Sequence, residues 1–531
     1  MRSNYFASLL LVVACGHHGA DTGDAGGSDS VATPDAFAGP WADFPVDPIV
    51  DPSAPANSAT LFGAAGSGAT SGGPCMVEPE VGTLYPQNWL RPRFSWIATG
   101  TENLFEIRLT AANQINPLVV YTSASTWTMP ADIWGRLSAD TVEQPITMTV
   151  RGATYDGMSA LTSGPEIGSM GDIAVANAQA PGAIVYWTTS GGTALRGFHI
   201  GDETVTTIVQ PADDAPATKC IGCHSSTPDG TFVAYSASQN AGNGDPTALG
   251  FLSSDAMGTR PSFITASAQT MMARSGQESP TFSKQHWQTG DHTAVNMFTV
   301  GSKFEIMWTD LEATSTVQNT GWGVIARGTD TGAAAYASFA RTSDQLLYVS
   351  APTVSSGVTV SHGDLMTVPY GARAGGTASP IMGADTTTYN EYYPTFSPDD
   401  KYVAYNRVTD GQSSYANTQA EVFVIPTAGG TPTRIAANDP TSCSGKTSPG
   451  IENSWPKWAP EATVDNATGK TYYWVTFSST RTGGIPQLFV TPVVDDGSGT
   501  LETYPALYLW NQPATDHNHT PAWDNFQLVI Q

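Results

Sequence analysis

Residues 393–405 read Tyr393-Pro394-Thr395-Phe396-Ser397-Pro398-Asp399-Asp400-Lys401-Tyr402-Val403-Ala404-Tyr405. Apolar and polar positions alternate on both sides of Ser-Pro-Asp-Asp, the pattern of two short strands joined by a tight turn. The frame recurs at Ser279-Pro280-Thr281-Phe282-Ser283, Ser338-Phe339-Ala340-Arg341-Thr342-Ser343-Asp344, Trp455-Pro456-Lys457-Trp458-Ala459-Pro460-Glu461 and Thr520-Pro521-Ala522-Trp523-Asp524. Upstream, Ser225-Ser226-Thr227-Pro228-Asp229-Gly230-Thr231-Phe232-Val233-Ala234-Tyr235 fits as well, with Ser226 where the others carry an aromatic. The aromatic position therefore falls at 226, 282, 339, 396, 458 and 523, at intervals of 56, 57, 57, 62 and 65 residues.

Such a period holds four short strands and three turns, the content of one antiparallel blade. Six repeats predict an all-β, six-bladed β-propeller over residues 180–531, with the aromatic packed between neighbouring blades. Only eight residues follow Trp523, too few for a blade. The strands missing from the sixth blade are supplied by Ile184–Thr188, Gly197–Ile200 and Val205–Val209, so both ends of this region close the ring and remove exposed sheet edges. The Phe-Ser-Pro-Asp-Asp/Gly-Lys-x-Val-Ala-Tyr signature resembles the repeat of TolB-type six-bladed propellers, in which WD40-like repeats surround a central channel. That resemblance implies a periplasmic ring used for binding a protein or a ligand, and no particular reaction.

Before the repeats, Leu84-Tyr85-Pro86 through Trp96, Phe105–Leu109, Trp127–Met129 and Ile146–Val150 read as short alternating strands. Pro-x-Phe-x-Trp and the Phe105–Leu109 strand resemble immunoglobulin-like or fibronectin type III domains, implying a small β-sandwich at 75–172. Residues 16–74 contain no Lys or Arg and seven Asp among Gly, Ala, Ser and Pro, and predict a disordered tether.

The N-terminus sets the compartment. Arg2 precedes an apolar run, Phe6–Ala14, that is too short to span a bilayer and ends in Val12-Val13-Ala14-Cys15. Residues 1–15 thus read as a lipoprotein signal peptide and lipobox, with Cys15 lipidated. The expected product is anchored to a membrane of a bacterial cell envelope, periplasmic or surface-exposed. A net charge of −25 and 13% charged residues argue against a nucleic-acid partner. In an oxidising compartment the two stray thiols, Cys75 and Cys443, are expected to pair.

One motif carries chemistry. Lys219-Cys220-Ile221-Gly222-Cys223-His224 contains C-x-x-C-H, the attachment motif of c-type haem. Two thiols add to the haem vinyl groups, and the adjacent histidine coordinates the iron. Zinc would need two further strong ligands, and a thioredoxin-like dithiol a βαβ setting. In the repeat frame Cys223 corresponds to Tyr393 and His224 to Pro394, which places the motif on the first strand of the first blade; the TolB-type resemblance implies that this strand lines the central channel. His519, with His517 near it, and Met271 and Met272 are the candidate sixth iron ligands. Asp229-Gly230 and Asp399-Asp400 fit turns better than calcium loops. Glu278, Glu391 and Glu452 precede channel strands, as an acidic mouth or as solvated loop carboxylates. No G-x-S-x-G elbow is present. The expected function is a haem-bearing propeller lipoprotein for electron transfer or redox or ligand sensing, with a protein or redox partner. The alternative is a non-enzymatic scaffold that binds a protein or glycan.

Overall fold

The Ser-Pro-Asp turns organise the chain. The structure, a computed structural model, describes residues 39–239, 248–355 and 359–529. Asp399 accepts from the Ser397 hydroxyl at 2.8 Å and from the Lys401 amide at 3.2 Å. These bonds turn strand Tyr389–Phe396 back into Tyr402–Thr409. Asp400 occupies the left-handed region at φ 61°, which short polar side chains tolerate. In the first repeat Asp229 makes the same bonds to Thr227 and Thr231, and Gly230 takes the left-handed position. A side chain there would collide with the Asn525 carbonyl. Both Asp pairs are turn residues.

The architecture is all-β and propeller-like. Six antiparallel sheets lie between Ala183 and Asp524. Their innermost strands are Cys220–Ser226, Glu278–Thr281, Ala333–Phe339, Tyr389–Phe396, Asn453–Trp458 and Asn518–Asp524. Each touches the next, and the last touches the first. The sixth sheet draws on both ends of this region. Ala183–Thr188 pairs with Ala194–His199 on one edge and with Asn518–Asp524 on the other, with Trp523 opposite Ile184. The anchor aromatics Phe282, Phe339, Phe396, Trp458 and Trp523 are all buried, in apolar clusters that join adjacent sheets. Phe339 and Tyr370, for example, pack with Val295 and Trp308 of the preceding sheet.

Residues 39–175 form a six-stranded and a three-stranded sheet. Phe94, Trp96 and Trp127 from the smaller sheet meet Ile107, Leu109 and Val120 from the larger one. The same cluster continues into Tyr186, Trp474 and Trp523, so this part shares its core with the fifth and sixth sheets. Cys75 and Cys443 form a disulfide, with Cα atoms 6.0 Å apart, that ties the three-stranded sheet to the loop before the fifth sheet.

The tether expected at 16–74 is corrected over 39–74. Ile49–Val50 pairs in parallel with the Leu118–Thr122 strand, and a short helix covers Ser58–Phe62. Phe44 and Phe62 are buried, and Phe62 packs on Tyr121 and beneath the Arg151 guanidinium. A few isolated aromatics fix this segment onto a ready-made sheet edge, which needs no periodicity. The signal peptide and Cys15 lie outside the described residues. Among the described residues no helix is long and apolar enough to cross a membrane.

Candidate functional site

Each innermost strand carries one residue in the left-handed region: Cys223, Ser279, Tyr336, Tyr393, Trp455 and Thr520, with φ between 30° and 59°. None is glycine. At each of them the inner strand gains one residue over its partner strand. These are β-bulges, which re-aim side chains. A proline follows the bulge residue in four of the six, at 280, 394, 456 and 521. Proline has no amide hydrogen to continue the ladder there. A non-glycine residue at positive φ costs roughly 1–2 kcal/mol, so the surrounding ring must hold all six in place.

The bulges aim at one cavity of about 140 Å³. The six bulge residues line it, together with those two positions on: Ser225, Thr281, Ser338, Thr395, Lys457 and Ala522. One arc is aromatic. Tyr393 stacks on Trp455 with ring centroids 3.5 Å apart, and Tyr336 meets Tyr393 edge-on at 4.6 Å. The opposite arc, from Cys223, Ser279 and Thr520, is small and polar. Burial and then the Arg341 charge lower the Lys457 amine to about 8.

The acidic residues are not solvated loop carboxylates as the sequence suggests. Glu278 and Glu391 are buried, and Glu452 is half-buried. Burial lifts the Glu452 carboxyl to about 7. Glu391 is held by Thr386 at 3.2 Å and faces Arg407 at 3.8 Å, so it serves its own sheet.

The C-x-x-C-H residues lie on strand Cys220–Ser226, and the two thiols diverge. Cys220 bonds with Thr193 in the sixth sheet's hairpin loop. Cys223, on the bulge, bonds with Ser279 of the second sheet, and burial followed by the Glu278 charge pushes its thiol up to about 12. His224 turns into the wall: its Nε2 donates to the Val185 carbonyl at 3.0 Å, and Nδ1 is buried without a hydrogen-bond partner. Burial, as the largest cause, lowers the imidazole to about 4. A covalent haem needs both sulfurs at one porphyrin edge and open space for iron beside the imidazole. The residues as placed do not present that arrangement: the sulfurs bond to different sheets, and the imidazole Nε2 is taken by the Val185 carbonyl. The haem expected on Cys220, Cys223 and His224 would need these three side chains to be rearranged.

The candidate sixth ligands are engaged elsewhere. His519 packs at a tilt against Trp187, ring centroids 4.7 Å apart, its Nδ1 bonds Thr520 Oγ1 at 3.0 Å, and burial lowers its ring to about 4. Met271 and Met272 are buried on helix Ala266–Met272, in the cluster with Ala268, Phe282 and Trp287. Among the described residues no group of three or more His, Cys, Asp or Glu is placed to hold a metal ion.

Sequence reasoning missed Tyr336, Trp455 and Lys457 as site residues. The available signal was the position three residues before each anchor, aromatic in three consecutive repeats.

No family model matches the chain, and no curated protein matches it. Among solved structures it is similar to an oligogalacturonate lyase in complex with manganese, at 8% identity and TM-score 0.33, over 60% of this chain and 73% of that one. A prolyl endopeptidase matches at 9% identity and TM-score 0.31, over 62% of this chain and 48% of that one. The tricorn protease matches at 13% identity and TM-score 0.27, over 77% of this chain and 38% of that one. These weak likenesses carry no argument about chemistry.

Proposed function

We propose that the chain is an exported, lipid-anchored binding protein, built as a β-sandwich and a TolB-like six-bladed propeller, that takes a ligand into the end of the propeller channel. One observation carries this reading. Six equivalent positions spend backbone strain to turn their side chains into the same cavity, and three of them are adjacent aromatics. The anchor aromatics already fill the spaces between sheets, so the bulge side chains are left to line the cavity. Strained backbone at a lined cavity is the signature of a binding site held ready before its ligand arrives. Cys15 supplies the anchor in this reading.

The test is a thermal-shift screen of the full chain against neutral, cationic and anionic small molecules, repeated on Trp455→Ala. Ligands that raise the melting temperature of the native protein and lose that effect in Trp455→Ala support the channel site. If no compound class acts, or every shift survives the substitution, the reading is wrong.

A further inference from the structure

The charge of the channel end opposes that of the molecule. The whole chain has 22 Lys and Arg against 47 Asp and Glu. The cavity lining reverses the balance, with Lys284, Arg341 and Lys457 against Asp524 alone. Asp524 is already committed to Arg341, with Nη1 and Oδ2 2.9 Å apart. Neither Lys284 nor Lys457 has an ion-pair partner among the described residues. Lys457 stands out, because its five counterparts in the other strands are Ser225, Thr281, Ser338, Thr395 and Ala522. It is only partly exposed, and Arg341 is close enough to disfavour its charge. A half-buried ammonium beside a second cation is costly unless an anion joins it. Glu278 is buried and lies outside the lining. The lining also offers hydroxyls at Thr281, Ser338 and Thr395, and the half-buried Trp455 adds apolar surface.

We infer that this cavity holds a small hydroxylated organic anion, its carboxylate on Lys457, its hydroxyl groups on the Ser and Thr ring and its carbon skeleton against Trp455. The inference rests on the channel being the binding site. Size suits a small ligand: the cavity measures about 140 Å³, so an acid of a few carbons fits. Lys457 acts as a point charge with three donors, which suits a carboxylate approached from one side.

The experiment is isothermal titration calorimetry on the full chain at low salt, with sodium glycerate, glycerol and inorganic phosphate as probes. Glycerate is expected to bind at one site and to weaken as salt rises, with glycerol silent. Lys457→Met should weaken glycerate by about tenfold or more, and Lys457→Arg should restore most of the loss. A melting curve checks that each variant is folded. Binding of glycerate by a folded Lys457→Met as tight as by the native chain overturns the proposal, and so does equal binding of glycerol. Phosphate binding without glycerate overturns it in favour of an inorganic-anion site. Neutral compounds that bind in a Trp455-dependent way while glycerate does not would sink this inference and leave the channel reading standing. Silence from every compound class removes both.

Discussion

Replacing Trp523 by alanine tests whether the strand Asn518–Asp524 is an integral part of the sixth sheet. The indole is 2% exposed and lies in one cluster with Ile184, Tyr186 and Trp474. Its Nε1 donates to the Pro181 carbonyl at 2.7 Å. Deleting a buried Trp costs about 3–5 kcal/mol through lost transfer energy and the cavity left behind. The lost hydrogen bond adds about 1 kcal/mol. The expected loss is therefore about 4–6 kcal/mol, a large share of the ~5–15 kcal/mol that holds a domain folded. Trp455→Ala is the control, because that indole is half-buried in the channel, and it should cost about 1 kcal/mol. Urea denaturation followed by far-UV circular dichroism reads both, with the slope checked for constancy so that midpoints convert to stability. A Trp523→Ala loss no larger than that of Trp455→Ala would refute closure of the sixth sheet by the C-terminal strand.

Four further outcomes are expected. Cys75→Ser should lower stability by about 2–5 kcal/mol, since the crosslink spans 368 residues; equal melting of native and variant chains, with and without reductant, would contradict it. Protein matured in a host with working haem-attachment machinery should show no covalent haem on a denaturing gel, and a haem-stained band lost in Cys220→Ala would reverse our reading of the motif. The Glu452 carboxyl is lifted by burial from 4.5 to about 7, so between those values the folded chain keeps a proton that the unfolded chain releases. That contribution is full below about pH 4.5 and is lost as pH rises through 7, so Glu452→Gln should flatten part of the fall in urea midpoint between pH 5 and 8; identical profiles would show that the carboxyl titrates normally. Gly230→Val should destabilise the first sheet by more than about 1 kcal/mol, because it forces a β-branched residue to φ 75° against the Asn525 carbonyl; a melt like that of the native chain would show that the turn relaxes freely.

The repeat was legible because the anchors do the same job in each sheet. Phe282, Phe339, Phe396, Trp458 and Trp523 fill the spaces between sheets, and such packing demands a large side chain at a fixed offset from a turn. Ser226 breaks the pattern, yet the Pro-Asp-Gly turn beside it still marks the repeat. The bulges were not legible. Left-handed backbone leaves no residue signature when Cys, Ser, Tyr, Trp and Thr all adopt it, and only the following prolines hint at it. The site was half visible for that reason: Cys223 attracted notice as part of a motif, while Tyr336, Trp455 and Lys457 gain meaning only from the cavity they share. C-x-x-C-H names chemistry that depends on where two sulfurs point, and a bulge between Gly222 and His224 changes that direction without changing a letter. The segment 39–74 was misread because two buried aromatics suffice to order it, too few to make a period.

The pairing of Ala183–Thr188 with Asn518–Asp524 also sets an order of events. A chain made from its N-terminus begins the sixth sheet before any of the other five and completes it after all of them. Through that interval the edge of Ala183–Thr188 has no partner, and an open edge of this kind invites pairing with other chains. A nascent molecule would therefore pass through a state with its seam open. The vulnerable moment in its life comes just before the last strand arrives, when five sheets are complete and the sixth still offers its edge to whatever reaches it first.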